Sequence, residues 1–171
     1  VPMPGGDRAV DEPWRMAFSY LYKYLGDSFD FDTLNVFRNI ERHKIDLVRE
    51  MLRKKINVPL TSGVGRLFDA VSALTGLCRE QAFDSEAPMR LESVINTDSE
   101  FFYPFRISGT VIFEEMFLSI LDDMKTVDVS EISARFHNTL VQVILEVSER
   151  IRSSHGLNKV VLSGGVFQNR Y

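Results

Sequence analysis

Val160-Val161-Leu162-Ser163-Gly164-Gly165-Val166-Phe167-Gln168-Asn169-Arg170 is the stretch from which the rest of the chain is read. Three aliphatic residues run into Ser-Gly-Gly, and the pattern beyond them turns helical. The run predicts a buried strand, a turn clear of side chains and a helix N-terminus. Glycine lets the backbone come close to a ligand, and free N–H groups with the helix dipole favour an anion. Phosphate is the natural guest, and an ordinary strand–turn–helix corner is the alternative for the same residues. The sequence stops at Tyr171, one short turn into that helix, and so reads as a fragment of a longer protein.

The bulk properties suit one domain with a real core at 171 residues. Hydrophobic residues make up 44% and charged ones 26%, as in ordinary globular proteins, and 13 Phe point to a well-filled interior. The formal net charge of −4 and a pI near 5.4 argue against nonspecific attraction to nucleic acid. The basic run at residues 49–55 reads as a solvated helix face. A single cysteine, Cys78, excludes an internal disulfide and a cysteine metal cluster, and a reducing cytoplasm is expected. No apolar run approaches a membrane span, so no membrane partner is expected.

Upstream, the chain reads as helices. Residues 1–8 are Pro/Gly-rich and predict an extended connector. Asp11 is placed to cap a helix carrying Trp14, Phe18, Leu21, Tyr22 and Leu25, which Gly26 stops. A short helix over 32–40 follows, then one over 44–55 burying Leu47, Val48, Met51 and Leu52. Thr61 or Ser62 is the expected N-cap of a helix from Val64 to Leu74, with Leu67, Phe68, Val71 and Leu74 on one stripe and Gly76 beyond its end. Asp69 sits beside that stripe, where a solvated or capping carboxylate is the plain expectation. Residues 87–95 suggest a short helix. Two β-prone runs, 101–107 and 110–113, flank Ser108-Gly109 and predict a hairpin. A helix over 114–124 should bury Met116, Phe117, Ile120, Leu121 and Met124. Asp128-x-x-Glu131 resembles a capping box opening a helix to about residue 154, with Ile132, Phe136, Leu140, Val143, Ile144, Val147 and Ile151 in phase and Gly156 as its stop. His137 lies next to that stripe and is expected to be packed or capped; His43 and His155 lie on unrelated segments, so metal ligation is not expected.

Four ordered motifs add a resemblance covering almost the whole chain. They are Pro2-Met3-Pro4-Gly5-Gly6-Asp7 with Glu12-Pro13-Trp14-Arg15-Met16-Ala17, then Gly65-Arg66-Leu67-Phe68-Asp69-Ala70, then Ala134-Arg135-Phe136-His137-Asn138-Thr139-Leu140, then Ser163-Gly164-Gly165-Val166-Phe167-Gln168-Asn169-Arg170. Together they resemble the carbamoyltransferases that mature NiFe-hydrogenases (HypF), in their Kae-like domain. The resemblance implies an α-rich α/β lobe, bundle-like with a small sheet, belonging to an actin/sugar-kinase-like (ASKHA) fold and truncated at its C-terminus. Residues 1–171 would then be one domain, a fragment of a longer Kae-like carbamoyltransferase domain, with 1–8 as connector.

The same resemblance implies the chemistry. Carbamate derived from carbamoyl phosphate joins AMP from ATP with loss of pyrophosphate, and the carbamoyl group passes to the C-terminal cysteine of a HypE-type partner. Asp69 would take ribose hydroxyls, Ser163, Gly164 and Gly165 phosphate oxygens, and Asn169 the nucleoside. Magnesium or another divalent metal would accompany ATP, with its ligands outside this chain, and no catalytic side chain is implied within it. Where HypF members have Glu-Gly-Gln-Ala-Ala, this sequence has Asp84-Ser85-Glu86-Ala87-Pro88, which leaves Glu86 and Glu92 as open candidates for the nucleoside pocket. A tRNA threonylcarbamoyl enzyme of the related Kae-like type is the enzymatic alternative, against which Phe167-Gln168 and residues 12–15 speak. A noncatalytic helical interaction domain is the other.

Overall fold

The structure is a computed structural model that describes residues 1–95 and 98–171. It divides into two compact units, Val1–Ser93 and Val94–Tyr171.

In the first unit, α1 (Arg8–Asp11), α2 (Trp14–Leu25), α3 (Asn35–Arg38), α4 (Arg42–Lys54), α5 (Val64–Leu74) and α6 (Glu86–Ser93) follow in order, with a 3-10 turn at Phe31–Thr33. The helix expected over 32–40 is therefore split into that turn and α3. α5 packs against both α2 and α6. The first two thirds of α2, from Trp14 to Leu21, is buried on every side, and so is α5 from Leu67 to Leu74. Small residues make this possible: Ala17 and Ser19 on α2, and Ala70, Ser72 and Ala73 on α5, let neighbours approach where a solvent face was expected. Beside them Phe18 stacks on Phe31 at 4.0 Å between centroids, Phe37 meets both rings edge-on, and the Arg49 guanidinium lies over Phe31. Offset and edge-on aromatic contacts of this kind add to the area that they bury.

The extended connector expected over residues 1–8 forms only at residues 1–3; residues 4–7 turn into α1 at Arg8, and the stretch is strapped to the body. Thr61 N–H donates to Val1 O, Met3 N–H to Pro59 O and Gly5 N–H to Asn57 O, all at 2.8–2.9 Å. Gly5 has φ +91°, and a Cβ there would lie 3.3 Å from Arg8 Cβ and 3.4 Å from the buried Arg15 guanidinium. Only glycine fits that conformation and that approach. Arg15 pairs with Glu12, donates to Pro4 O and lies over Trp14, so the Glu-Pro-Trp-Arg motif is a clasp for the chain start.

Some local expectations change. Asp11 ends α1 and does not cap α2, whose N-cap is Pro13. α4 begins two residues before the expected start and turns Ile45, Val48 and Leu52 inward at i, i+3 and i+7, leaving Leu47 52% exposed. Gly63 is the N-cap of α5, and the Thr61 hydroxyl accepts the Gly63 N–H in a local turn. The bounds of α5 and the stop of α2 at Gly26 are as expected.

In the second unit, β1 (Arg106–Ser108) and β2 (Thr110–Ile112) form a tight antiparallel hairpin about Gly109, shorter than the expected runs. α7 (Glu114–Asp123) and α8 (Val129–His155) complete its helices. Asp128 is the N-cap of α8 but makes no side-chain bond, so no capping box forms. The Glu131 carboxylate is engaged elsewhere, accepting from Arg135 Nε at 2.7 Å and from the Ser99 hydroxyl at 2.8 Å. Arg135 also donates to Asp123 on α7 at 2.8 Å, where the Tyr103 hydroxyl donates too. Ile132, Phe136 and Leu140 are buried as expected, but Val143, Ile144 and Val147 are only partly covered and Ile151 is exposed. Gly156, at φ +70°, closes the helix.

Candidate functional site

Asp69 is the one expected site residue of the first unit, and α5 carries it inward. Its relative exposure is 0%, against the solvated or capping carboxylate suggested by pattern alone. Arg66, one turn earlier on the same helix, brings Nε to 2.8 Å from Oδ2. The N–H is not directed at that oxygen, however, and neither carboxylate oxygen has a hydrogen-bond partner among the described residues; the buried Ser72 hydroxyl on the same helix has none either. Desolvation therefore outweighs the Arg66 charge. Burial pushes the Asp69 carboxyl up to about 7, with Arg66 opposing and Asp84 assisting. Nearby, burial raises the Tyr20 phenol, and the Asp69 charge adds to it. A buried carboxylate held by one ion pair and by no hydrogen bond suits a ligand bearing hydroxyl donors.

The segment at Asp84-Ser85-Glu86 takes a structural role. Glu86 accepts the Ala82 N–H at 2.5 Å and pairs with Arg90, which in turn donates to Leu77 O at 2.8 Å. These bonds, the Ala82 N–H foremost, hold its carboxyl below the usual range. Ser85 sits at φ +67°, the left-handed region, at the position where the HypF pattern has glycine.

In the second unit the expected strand does not form. Val160, Val161 and Leu162 are 61%, 87% and 56% exposed and join no sheet among the described residues. A strand needs a neighbour for its N–H and C=O groups, and apolar pattern alone cannot supply one. Gly165–Gln168 is a 3-10 turn in place of the start of an α-helix. Ser163, Gly164 and Gly165 are exposed, Gly164 has φ +100°, and a Cβ on it would meet nothing within 4 Å. Open space beside a glycine backbone leaves room for an anion's close approach.

Asn169 is anchored. Its Nδ2–H donates to His137 Nε2 at 2.9 Å, and its Oδ1 accepts the Tyr171 N–H at 3.0 Å. His137, on α8 and 5% exposed, donates from Nδ1 to Ser133 O at 2.8 Å. The Tyr171 hydroxyl donates to Asn138 Oδ1, and Asn138 Nδ2 donates to the Ser99 and Phe101 carbonyls. Thus two of the ordered motifs, one on α8 and one in the Ser-Gly-Gly segment, meet through side chains. Among the described residues no group of three or more His, Cys, Asp or Glu is arranged to hold a metal, and no helix is long and apolar enough to cross a membrane.

The fold is an α-rich subdomain of the actin/sugar-kinase-like kind with a small two-stranded sheet. Over residues 1–171 the chain matches the family described as carbamoyltransferase, Kae1-like domain, second subdomain, and it belongs to that family. A probable carbamoyltransferase HypF of Methanocaldococcus jannaschii is 31% identical over 97% of this chain and 22% of its own length. The carbamoyltransferase HypF of Rhodobacter capsulatus is 35% identical over 99% of this chain and 22% of its own. The chain thus spans less than a quarter of these relatives. Among solved structures, full-length HypF in a phosphate- and nucleotide-bound form superimposes with TM-score 0.88 and 37% identity, over 99% of this chain and 27% of that one.

Proposed function

We propose that this chain is a nucleotide-binding segment of an ATP-dependent carbamoyltransferase acting in NiFe-hydrogenase maturation. The observation that carries the reading is Asp69: a fully buried carboxylate within Gly65-x-x-Phe68-Asp69, with the Arg66 guanidinium beside it but no hydrogen-bond partner for either oxygen among the described residues. Burying such a group without hydrogen bonds costs several kcal/mol, a cost that a structural role alone does not explain. Ribose hydroxyls supply the missing donors once Arg66 gives way. The open Ser163-Gly164-Gly165 backbone receives phosphate oxygens, and Asn169 meets the nucleoside. The solved HypF with bound phosphate and nucleotide supports ligands of this class.

In this reading the whole protein hydrolyses carbamoyl phosphate to carbamate and phosphate. The carbamate oxygen attacks the ATP α-phosphorus, expelling pyrophosphate and leaving carbamoyl adenylate. A cysteine sulfur at the C-terminus of a HypE-type partner then takes the carbamoyl carbon, releasing AMP and giving up its thiol proton. This chain's part is binding and orientation, which lower such barriers by positioning and by stabilising charge. A divalent metal accompanies ATP, held by residues elsewhere in the parent. The whole of 1–171 acts within one longer Kae-like domain of a cytoplasmic protein, a location with which the lone buried thiol of Cys78 agrees.

The test is exchange of labelled pyrophosphate into ATP by the full-length protein, with and without carbamoyl phosphate, beside Asp69→Ala. Exchange that requires carbamoyl phosphate and falls at least tenfold in the variant supports the reading. No exchange by a folded, partner-binding wild type overturns it in favour of an interaction domain.

A further inference from the structure

His137 belongs to none of the ligand roles above, yet it is buried and bonded at both ring nitrogens. Its bonds have a definite logic. The Tyr171 N–H can only donate, so the Asn169 atom facing it at 3.0 Å must be the carbonyl oxygen. That turns the Asn169 NH2 group toward His137, whose Nε2 at 2.9 Å must then carry a lone pair. The ring proton is left on Nδ1, where the Ser133 carbonyl at 2.8 Å can only accept. The two ends of the chain of bonds reach the same answer independently, so one tautomer of His137 and one orientation of the Asn169 amide are selected together.

We propose that His137 is a positioning residue for nucleotide binding: its Nε2 lone pair, aimed from α8, holds the Asn169 amide in the one orientation that leaves its second N–H and second lone pair for the ligand. This rests on the reading that Asn169 meets the nucleoside. The Tyr171 ring also packs nearly perpendicular to the His137 ring, 5.7 Å between centroids. Without His137 the Tyr171 N–H alone would orient the amide, through one bond in place of two, and the ligand would meet a less ordered group.

The substitutions that separate this role from simple packing differ in reach. Asparagine at 137 can replace only the Nδ1 donor, whereas glutamine reaches the Nε2 position and offers an acceptor there. Dissociation constants for a non-hydrolysable ATP analogue are measured by calorimetry on the full-length protein, for wild type, Asn169→Ala, His137→Asn, His137→Gln and the double variant His137→Asn/Asn169→Ala. His137→Asn should weaken binding about tenfold, the worth of one hydrogen bond, and His137→Gln should stay within about threefold of wild type. The double variant should bind no more weakly than Asn169→Ala alone, since residues acting as one unit are non-additive. Additive losses, or a glutamine no better than asparagine, overturn the proposal and leave the Asn169 reading standing. An Asn169→Ala variant with wild-type affinity overturns both.

Should His137→Asn fail to fold, the ring tautomer supplies the test in folded wild type. A proton–nitrogen correlation spectrum of histidine-labelled full-length protein, with the His137 signals assigned by their loss in His137→Gln, should place the ring proton on Nδ1, and a proton on Nε2 overturns the proposal.

Discussion

Replacing Asp69 by asparagine should stabilise the chain, and more so as the pH rises. The carboxyl titrates near 7 in the fold, against about 3.8 when exposed. Between those values the folded state keeps a proton that the unfolded state has lost, so stability present below pH 4 is lost as the pH climbs through 7. Each tenfold change in acidity is worth about 1.36 kcal/mol, so the loss reaches about 4 kcal/mol by pH 8 and stays well under 1 kcal/mol at pH 4. The amide of the Asp69→Asn variant has the same shape, carries no charge and does not titrate. The advantage of the variant should therefore grow by about 3.7 kcal/mol from pH 4 to pH 8. At about 2–4 °C per kcal/mol for a chain of this length, that is a relative gain of about 10 °C in melting midpoint. Thermal unfolding followed by circular dichroism at a series of pH values reads it directly. If the Arg66 contact at 2.8 Å were instead a stabilising ion pair, Asp69→Asn would melt lower at pH 8, and that result would refute the argument.

Three further expectations follow from other parts of the structure. Gly164→Val in the full-length protein should weaken nucleotide binding more than tenfold with an unchanged circular dichroism spectrum, because a branched side chain would occupy the open side of a φ +100° backbone; equal affinity would remove the phosphate role of that turn. Arg135→Met keeps the stem but leaves Asp123 and Glu131 without their shared cation, and should cost about 2 kcal/mol in urea unfolding; an unchanged midpoint would show the network to be ornamental. Ser85→Gly relieves a left-handed residue and should add about 0.5–1 kcal/mol in the same assay, whereas a loss would mean that the serine side chain earns its strained place.

What could be read along the chain was local. The ends of α5, and the glycines that stop α2 and α8, depend on periodicity and on backbone freedom within a few residues. The burial of Asp69 could not be read that way. It depends on both faces of α5 being covered, and the hint in the sequence was the run of small residues Ala70, Ser72 and Ala73, which admits neighbours on the second face. Glu131 illustrates a competing partner: its spacing from Asp128 suits a capping box, but Arg135 and Ser99 take the carboxylate. Asn169 is proposed as a site residue from its motif, yet its anchor lies 32 positions away, and no local pattern links the two. The unformed strand at residues 160–162 marks the same boundary, since β structure is a property of pairs of segments.

That exposed aliphatic run also bears on how the chain behaves in concentrated solution. Val160-Val161-Leu162 has the composition from which amyloid spines are built, and it stands open to solvent. Self-templating stacks need about six or seven consecutive residues of high β-propensity and low charge. Here Lys159 precedes the run and Ser163-Gly164-Gly165 follows it, so the sticky segment is held to three residues. The same glycines that leave room beside the backbone therefore act as gatekeepers against cross-β assembly.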